Sequence, residues 1–378
     1  MNQNITGQTG ACLFFGNCFN GSITNSTFKN FPCNVISIVS GKNFLIKNNT
    51  FEHVFAGVGL QTCQDITVDS NIFDMSILNE SDSLYYFQKS WRYSAIGGYY
   101  LSKNTTISNN KIVASNWGME FTPNTGGKIN IYDNYLNCEA TGISIGGTAE
   151  ANIINNIIYT PEGFNEMGIE IGDAFKFVIS DNNIDMKTSL YGSSRAISNS
   201  KSNSIVDGQI KNNTLKSVVG VYFGSTTLSS SGTLSIMDNH IYYDCISIFT
   251  QYVRVYISNN IMKKRNDYYL WYLQNSNINV SSDYVNIINN NVFDCSMDGA
   301  FLLNKGFGAT PSGKYIVTNN KIINSYTNSA FLESSNTQYL HARDNILIGT
   351  VPTTTFSLTN VSGSTIQNNY KEDGTNLS

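Results

Sequence analysis

The chain has 378 residues, 23 basic and 27 acidic side chains and a formal net charge of −4. Its 52 asparagines outnumber all charged side chains together, so its surface is polar through amides and hydroxyls, and no basic stripe suits it to nucleic acid. No apolar run approaches the ~18 residues of a membrane-spanning helix, and the odd set of seven cysteines forms no zinc-type pair.

Residues 1–21 are rich in glycine and aromatic side chains and are expected to cap the open end of the fold. They lack the charged and apolar regions of a secretory signal. Cys12 and Cys18 leave a disulfide open there. Most of Cys12, Cys18, Cys33, Cys63, Cys138, Cys245 and Cys295 read as small buried core residues.

From residue 22 to 370 apolar and polar residues alternate, the period-2 signature of strands with one buried face, and no helical period is sustained. An Asn-Asn or Asp-Asn pair punctuates this pattern at a nearly constant distance. The series runs Asn25, Asn49, Asn71, Asn110, Asn134, Asn156, Asn183, Asn213, Asn239, Asn260, Asn290, Asn320, Asn345 and Asn369, with intervals between 21 and 39 residues. Examples are Phe44-Leu-Ile-Lys-Asn-Asn-Thr-Phe51 and Asn152-Ile-Ile-Asn-Asn-Ile-Ile-Tyr159. A period of 20 to 50 residues is the mark of a solenoid, in which each repeat contacts only its neighbours. Asparagine tolerates left-handed backbone angles at a corner. Stacked at ~4.8 Å per coil, its amide can also bond the amide above and below.

This pattern resembles the right-handed parallel β-helix of the pectin-lyase-like superfamily, including the bodies of bacteriophage tailspikes and polysaccharide depolymerases. The resemblance implies an all-β solenoid of about thirteen to fifteen coils, a rod on the order of 65 Å long at ~4.8 Å per coil. Residues 22–370 would form the β-helix and 371–378 a frayed tail. It also implies a homotrimer on a virion tail, or alternatively a secreted protein. No particle-binding head or trimer-forming domain is visible, so the chain reads as a module of something longer.

The largest interval, Asn71 to Asn110, holds an aromatic-rich insertion with Tyr85, Tyr86, Trp91 and Tyr93, which are expected to wall a saccharide groove. Midway between asparagine corners a second strand aligns by eye. It reads Gly118-Met-Glu-Phe121, Gly142-Ile-Ser-Ile145, Gly168-Ile-Glu-Ile171 and Gly220-Val-Tyr-Phe223. If Met119, Phe121, Ile143, Ile145, Ile169 and Ile171 point inward, strand alternation turns Glu120, Ser144, Glu170 and Tyr222 outward.

Glu120 and Glu170 then lie two coils apart, ~9.6 Å between backbone positions. Side-chain rotamers can bring such a pair into the ~6.5–9.5 Å window of inverting glycoside hydrolysis, where one carboxyl acts as acid and the other as base. Asp173 follows three residues after Glu170; tailspikes use a Glu and Asp residues on neighbouring coils, and this spacing looks like that pattern. Catalytic candidates are therefore Glu120, Glu170 and Asp173. Substrate-binding candidates are Trp91, Trp117, Ser144, Arg195 and Tyr222, with Tyr99 and Trp271 as further outward aromatics.

Lyase chemistry would need a base and a cation to neutralise an enolate. Arg195, Lys128 and Lys201 are the nearby cations, but no calcium-binding Asp cluster is present. His53, His240 and His341 fall in different coils, so no metal or other cofactor is expected. The functional readings are a depolymerase acting on a capsule or O-antigen, a non-catalytic glycan-binding fibre or adhesin, and a secreted polysaccharide lyase.

Overall fold

The computed structural model describes residues 11–31, 33–76, 94–100, 103–121, 127–160, 167–172, 174–186, 194–199, 207–224, 232–251, 254–265, 278–293, 301–304, 313–323, 331–349 and 355–377. Among these residues every regular element is a strand, and neighbouring strands pair in parallel with partners one coil away in sequence. The protein is a parallel β-solenoid. It divides into two compact units, Met1–Phe177 and Val178–Ser378.

In the early coils of the first unit three short strands build three stacked faces, and in later ones a single long strand, such as Lys111–Phe121 or Tyr135–Ile145, runs through two of them. One coil runs Lys42–Lys47, Thr50–Glu52 and Ala56–Gln61, and these pair with Gln64–Asp69, Ile72–Asp74 and Ser94–Tyr99 of the next. Ala11–Gly16, inside the segment expected as a cap, already pairs in register with Asn34–Val39. The core is built from columns of identical positions. Ile36, Val58, Ile96, Met119, Ile143 and Ile169 are aligned in register, and all are buried. On another face the rings of Phe28, Phe51 and Phe73 stack at 5.2 and 4.5 Å. Stacking like on like keeps every coil the same width, so one alternating pattern serves the whole unit.

The second unit repeats the plan, and its long strands Thr214–Phe223 and His240–Thr250 likewise bend from one face into the next. Its register shifts between Ser217 and Val219, where the chain turns the corner. Residues 371–377 are held by a bridge from Tyr370 to Asn376 and a hydrogen bond from the Leu377 amide to the Asn369 carbonyl at 2.7 Å.

The asparagine corner divides its work between two adjacent residues. The first of each pair adopts φ near +55°, as at Asn48, Asn109, Asn155, Asn212, Asn259 and Asn319. The second is buried and forms the ladder. Asn49 Nδ2 donates to Asn71 Oδ1, Asn71 to Asn110 and Asn110 to Asn134, each at 3.0 Å. In the second unit the ladder runs Asn182, Asn213, Asn239, Asn260, Asn290, Asn320, Asn345, Asn369.

Two members of the expected series are out of phase. Asn25 is the left-handed residue of its corner (φ 53°), and the ladder position there belongs to Ser26. Ser26 Oγ bonds the carbonyl two residues back, as the ladder amides do. Asn183 stands exposed one residue beyond the ladder, because in Asp181-Asn182-Asn183 the aspartate takes the left-handed position (φ 59°) and Asn182 is buried.

Cys12, Cys18, Cys33, Cys63, Cys138 and Cys245 are free, so no disulfide joins Cys12 to Cys18. Of these, only Cys63, Cys138 and Cys245 are buried; Cys295 lies outside the described residues. Among the described residues no helix is long and apolar enough to cross a membrane.

Candidate functional site

On the first unit, Lys111–Phe121, Tyr135–Ile145 and Met167–Ile171 lie side by side and carry the acidic pair. Their phase is set by the core. Met119, Phe121, Ile143, Ile145, Ile169 and Ile171 are fully buried, so the residues between them face outward. Glu120 pairs with Ser144 and Ser144 with Glu170, all in register. Both glutamates are half-buried.

Glycines let these strands approach one another closely. A Cβ on Gly118 would stand 2.5 Å from the Gly142 carbonyl oxygen, and one on Gly142 would stand 2.6 Å from that of Gly168. Each coil therefore approaches the next more closely than any side chain permits, two residues before the outward position.

Hydrogen bonds orient the pair. Ser144 Oγ donates to Glu170 Oε2 at 2.8 Å, and Ser94 Oγ donates to Glu120 Oε2 at 3.3 Å. Ser94 was not legible from the sequence. It follows the long insertion, and its strand puts Gly97, not an acid, in register with Glu120. Gly59 and Gly97 hold the two positions before Glu120 in this column. A Cβ on Gly97 would meet nothing nearer than 3.7 Å. The outward column is thus Gly59, Gly97, Glu120, Ser144, Glu170, with side-chain-free backbone on one side of the acids. Trp117 sits three residues before Glu120, half-buried and in register with Ser94 and Thr141.

Arg195 and Tyr222 belong to the second unit and meet there, the guanidinium carbon 3.8 Å from the Tyr222 ring centroid. Tyr222 also stacks on Phe249 at 4.8 Å, a partner missed because Phe249 lies in a strand with no Gly-x-x-Phe signature. Lys128 is tied to Glu150 by a 2.7 Å ion pair. Asp173, Trp91, the other insertion aromatics Tyr85, Tyr86 and Tyr93, Lys201 and Trp271 lie outside the described residues.

The three histidines stand apart. His53 Nδ1 is 2.7 Å from the Ser76 carbonyl oxygen, His240 is exposed, and His341 stacks on Tyr339. Among the described residues no group of three or more His, Cys, Asp or Glu is arranged to hold a metal ion.

One strongly perturbed acid lies at the ladder corner. Burial opposes the charge on Asp69, but hydrogen bonds from Asn109, Lys47, Ser108 and Ser70 outweigh it and hold the carboxyl down at about 2. These partners come from its own and neighbouring coils, which makes Asp69 a staple between coils.

Comparison with family models gives no match, and comparison with curated protein sequences gives none. Among solved structures, the chain is similar to a tailspike protein of the E. coli bacteriophage HK620, a mutant in complex with a pentasaccharide. The identity is 13%, the TM-score 0.47, and the match covers 85% of this chain and 57% of that one. A second likeness is to a mutant of AlyGC, an alginate lyase of the PL6 family, at 8% identity and a TM-score of 0.25, covering 96% of each chain. This chain thus spans little more than half the length of the tailspike chain it matches.

Proposed function

We propose that the protein is a tailspike-like polysaccharide depolymerase that hydrolyses glycosidic bonds with Glu120 and Glu170. One observation carries this reading: two half-buried glutamates stand in register two coils apart on one outward face, with Ser144 between them. At ~4.8 Å per coil their backbones are ~9.6 Å apart. From there side-chain rotamers can reach the ~6.5–9.5 Å carboxyl separation that leaves room for a water.

In the step that follows, Glu170 takes a proton from water as the water oxygen bonds the anomeric carbon. The bond to the leaving glycosidic oxygen breaks, and that oxygen receives the proton of Glu120. The anomeric configuration inverts. Ser144 anchors Glu170 Oε2 and leaves its other oxygen for the water. The bare backbone at Gly59 and Gly97 gives the glycan a floor beside Glu120, and Trp117 supplies an aromatic face for a sugar ring.

The assay is reducing-end release and viscosity loss with bacterial capsular and O-antigen polysaccharides. Glu170→Gln and Glu120→Gln should each lower turnover by about two to four orders of magnitude while folding and glycan binding persist. Full activity in both variants removes this site from consideration. Glycan binding by wild type without any cleavage assigns the protein to the non-catalytic fibres. We place it on a virion tail as a homotrimer; sedimentation of the full natural chain as a monomer would count against that assembly.

A further inference from the structure

In Val178–Ser378 three planar groups form one stack. The Arg195 guanidinium covers the Tyr222 ring at 3.8 Å, and Tyr222 lies on Phe249 at 4.8 Å with 11° between their planes. Both rings pack against a small buried cluster of Val218, Val219, Cys245 and Ile246, so the stack is held from behind.

Among the described residues nothing answers the charge at its end. Among the described residues the ring of Tyr222 is the one recorded partner of the Arg195 guanidinium, and its Nε is buried without a hydrogen-bond acceptor. Ser198, in register with Tyr222 and on the same strand as Arg195, buries its hydroxyl oxygen likewise without a partner. A desolvated N–H with nothing to bond is unfavourable, and attraction to an aromatic face offsets only part of that loss. Arg195 as a whole is only half-buried, so an incoming anion meets the guanidinium at its terminal nitrogens and supplies the missing charge there. Stacking fixes the guanidinium plane, which preorganises its fork for a planar, two-oxygen acceptor. Beside it, the part of Tyr222 and Phe249 left open to solvent suits the apolar face of a sugar ring.

We propose that Arg195, Tyr222 and Phe249 form a subsite for a carboxylate-bearing sugar, so that the polysaccharide this protein handles is acidic. The choice of a sugar rests on the polysaccharide reading above; the anion preference rests on the stack alone and involves neither Glu120 nor Glu170. A lone fork with one aromatic backing fits a uronate-type monoanion better than a phosphate, which is ordinarily met by several donors.

The test is calorimetric titration with D-glucuronate against D-glucose, and with polygalacturonate against its carboxyl-reduced counterpart. Wild type is expected to prefer each acid over its neutral twin at least tenfold. Arg195→Gln should erase that preference, Arg195→Lys should keep part of it, and Glu170→Gln should keep all of it. The thermal midpoint of Arg195→Gln without ligand should equal or exceed that of wild type, because no hydrogen bond is lost. Equal binding of acid and neutral forms, no binding of any probe, or preference surviving in Arg195→Gln overturns the proposal. So does marked destabilisation of Arg195→Gln, which would give the arginine a structural role. An acid preference without any cleavage would sink the hydrolase reading and leave this one standing; cleavage without acid preference would do the reverse.

Discussion

Replacing Asn212 and Asn213 one at a time separates the two tasks of the asparagine corner. Asn213 Nδ2 donates to the carbonyls of Ile179 at 3.0 Å and Lys211 at 2.9 Å and to Asn239 Oδ1 at 3.0 Å. Its Oδ1 accepts from the Asn182 backbone amide at 2.9 Å and from Asn182 Nδ2 at 3.0 Å. The two Nδ2 protons are shared among those three acceptors, so the side chain makes about four full bonds, and at a net contribution of about 1 kcal/mol each Asn213→Ala should cost about 4 kcal/mol. Asn213→Asp should cost at least as much, since three acceptors would then face a carboxylate that has no proton to give.

Asn212 bears the backbone strain instead, at φ 55°. Asn212→Ala should cost about 1–2 kcal/mol, and Asn212→Gly should be nearly neutral. Asn212→Asp should fall within about 0.5 kcal/mol of wild type, because aspartate already fills the same position at Asp133, Asp181, Asp238 and Asp344. Urea unfolding gives midpoints and slopes for all five variants. Slopes must be compared, since a solenoid can lose repeats separately. Equal costs for Asn212→Asp and Asn213→Asp, or a well-tolerated Asn213→Asp, would refute the division of labour.

Gly142→Ala should destabilise by about 1–3 kcal/mol and lower turnover, because its Cβ would stand 2.6 Å from the Gly168 carbonyl oxygen and displace the strand that carries Ser144. Gly363→Ala, whose Cβ would meet nothing nearer than 3.5 Å, is the tolerated control, and equal effects would show that close approach is not the cause. Asp69, held at about 2 against an ordinary value of 3.8, contributes stability that is fully present above pH 4 and lost as pH falls toward 2. That contribution is about 2 kcal/mol, and Asp69→Asn should remove this part of the acid sensitivity; an unchanged acid profile would contradict it. Arg265 pairs two-fold with the buried Asp244 at 3.1 and 2.7 Å. Arg265→Met should therefore cost about 3 kcal/mol, with part recovered in the double variant Asp244→Leu/Arg265→Met, as thermal midpoints would report.

The repeat was legible in the chain because its cause is local: a corner needs one left-handed residue and one buried amide, and both leave the same letters in every coil. Alternation likewise decided that Glu120, Ser144 and Glu170 face outward, since Met119, Ile143 and Ile169 could only be core. The phase of a corner was less secure wherever the corner departed from a plain Asn-Asn or Asp-Asn pair. At Asp181-Asn182-Asn183 and at Asn25-Ser26 the letters allow two frames, and hydrogen bonds to neighbouring coils choose between them. Interactions between coils left no local trace at all. Ser94 reaches Glu120 across 26 residues, and Ser108 and Asn109 reach Asp69 across 39 and 40. Arg195 finds the face of Tyr222 because coil stacking fixes one strand directly against the next. The sequence determined which residues point out of each strand; only the register between coils decided which of them meet.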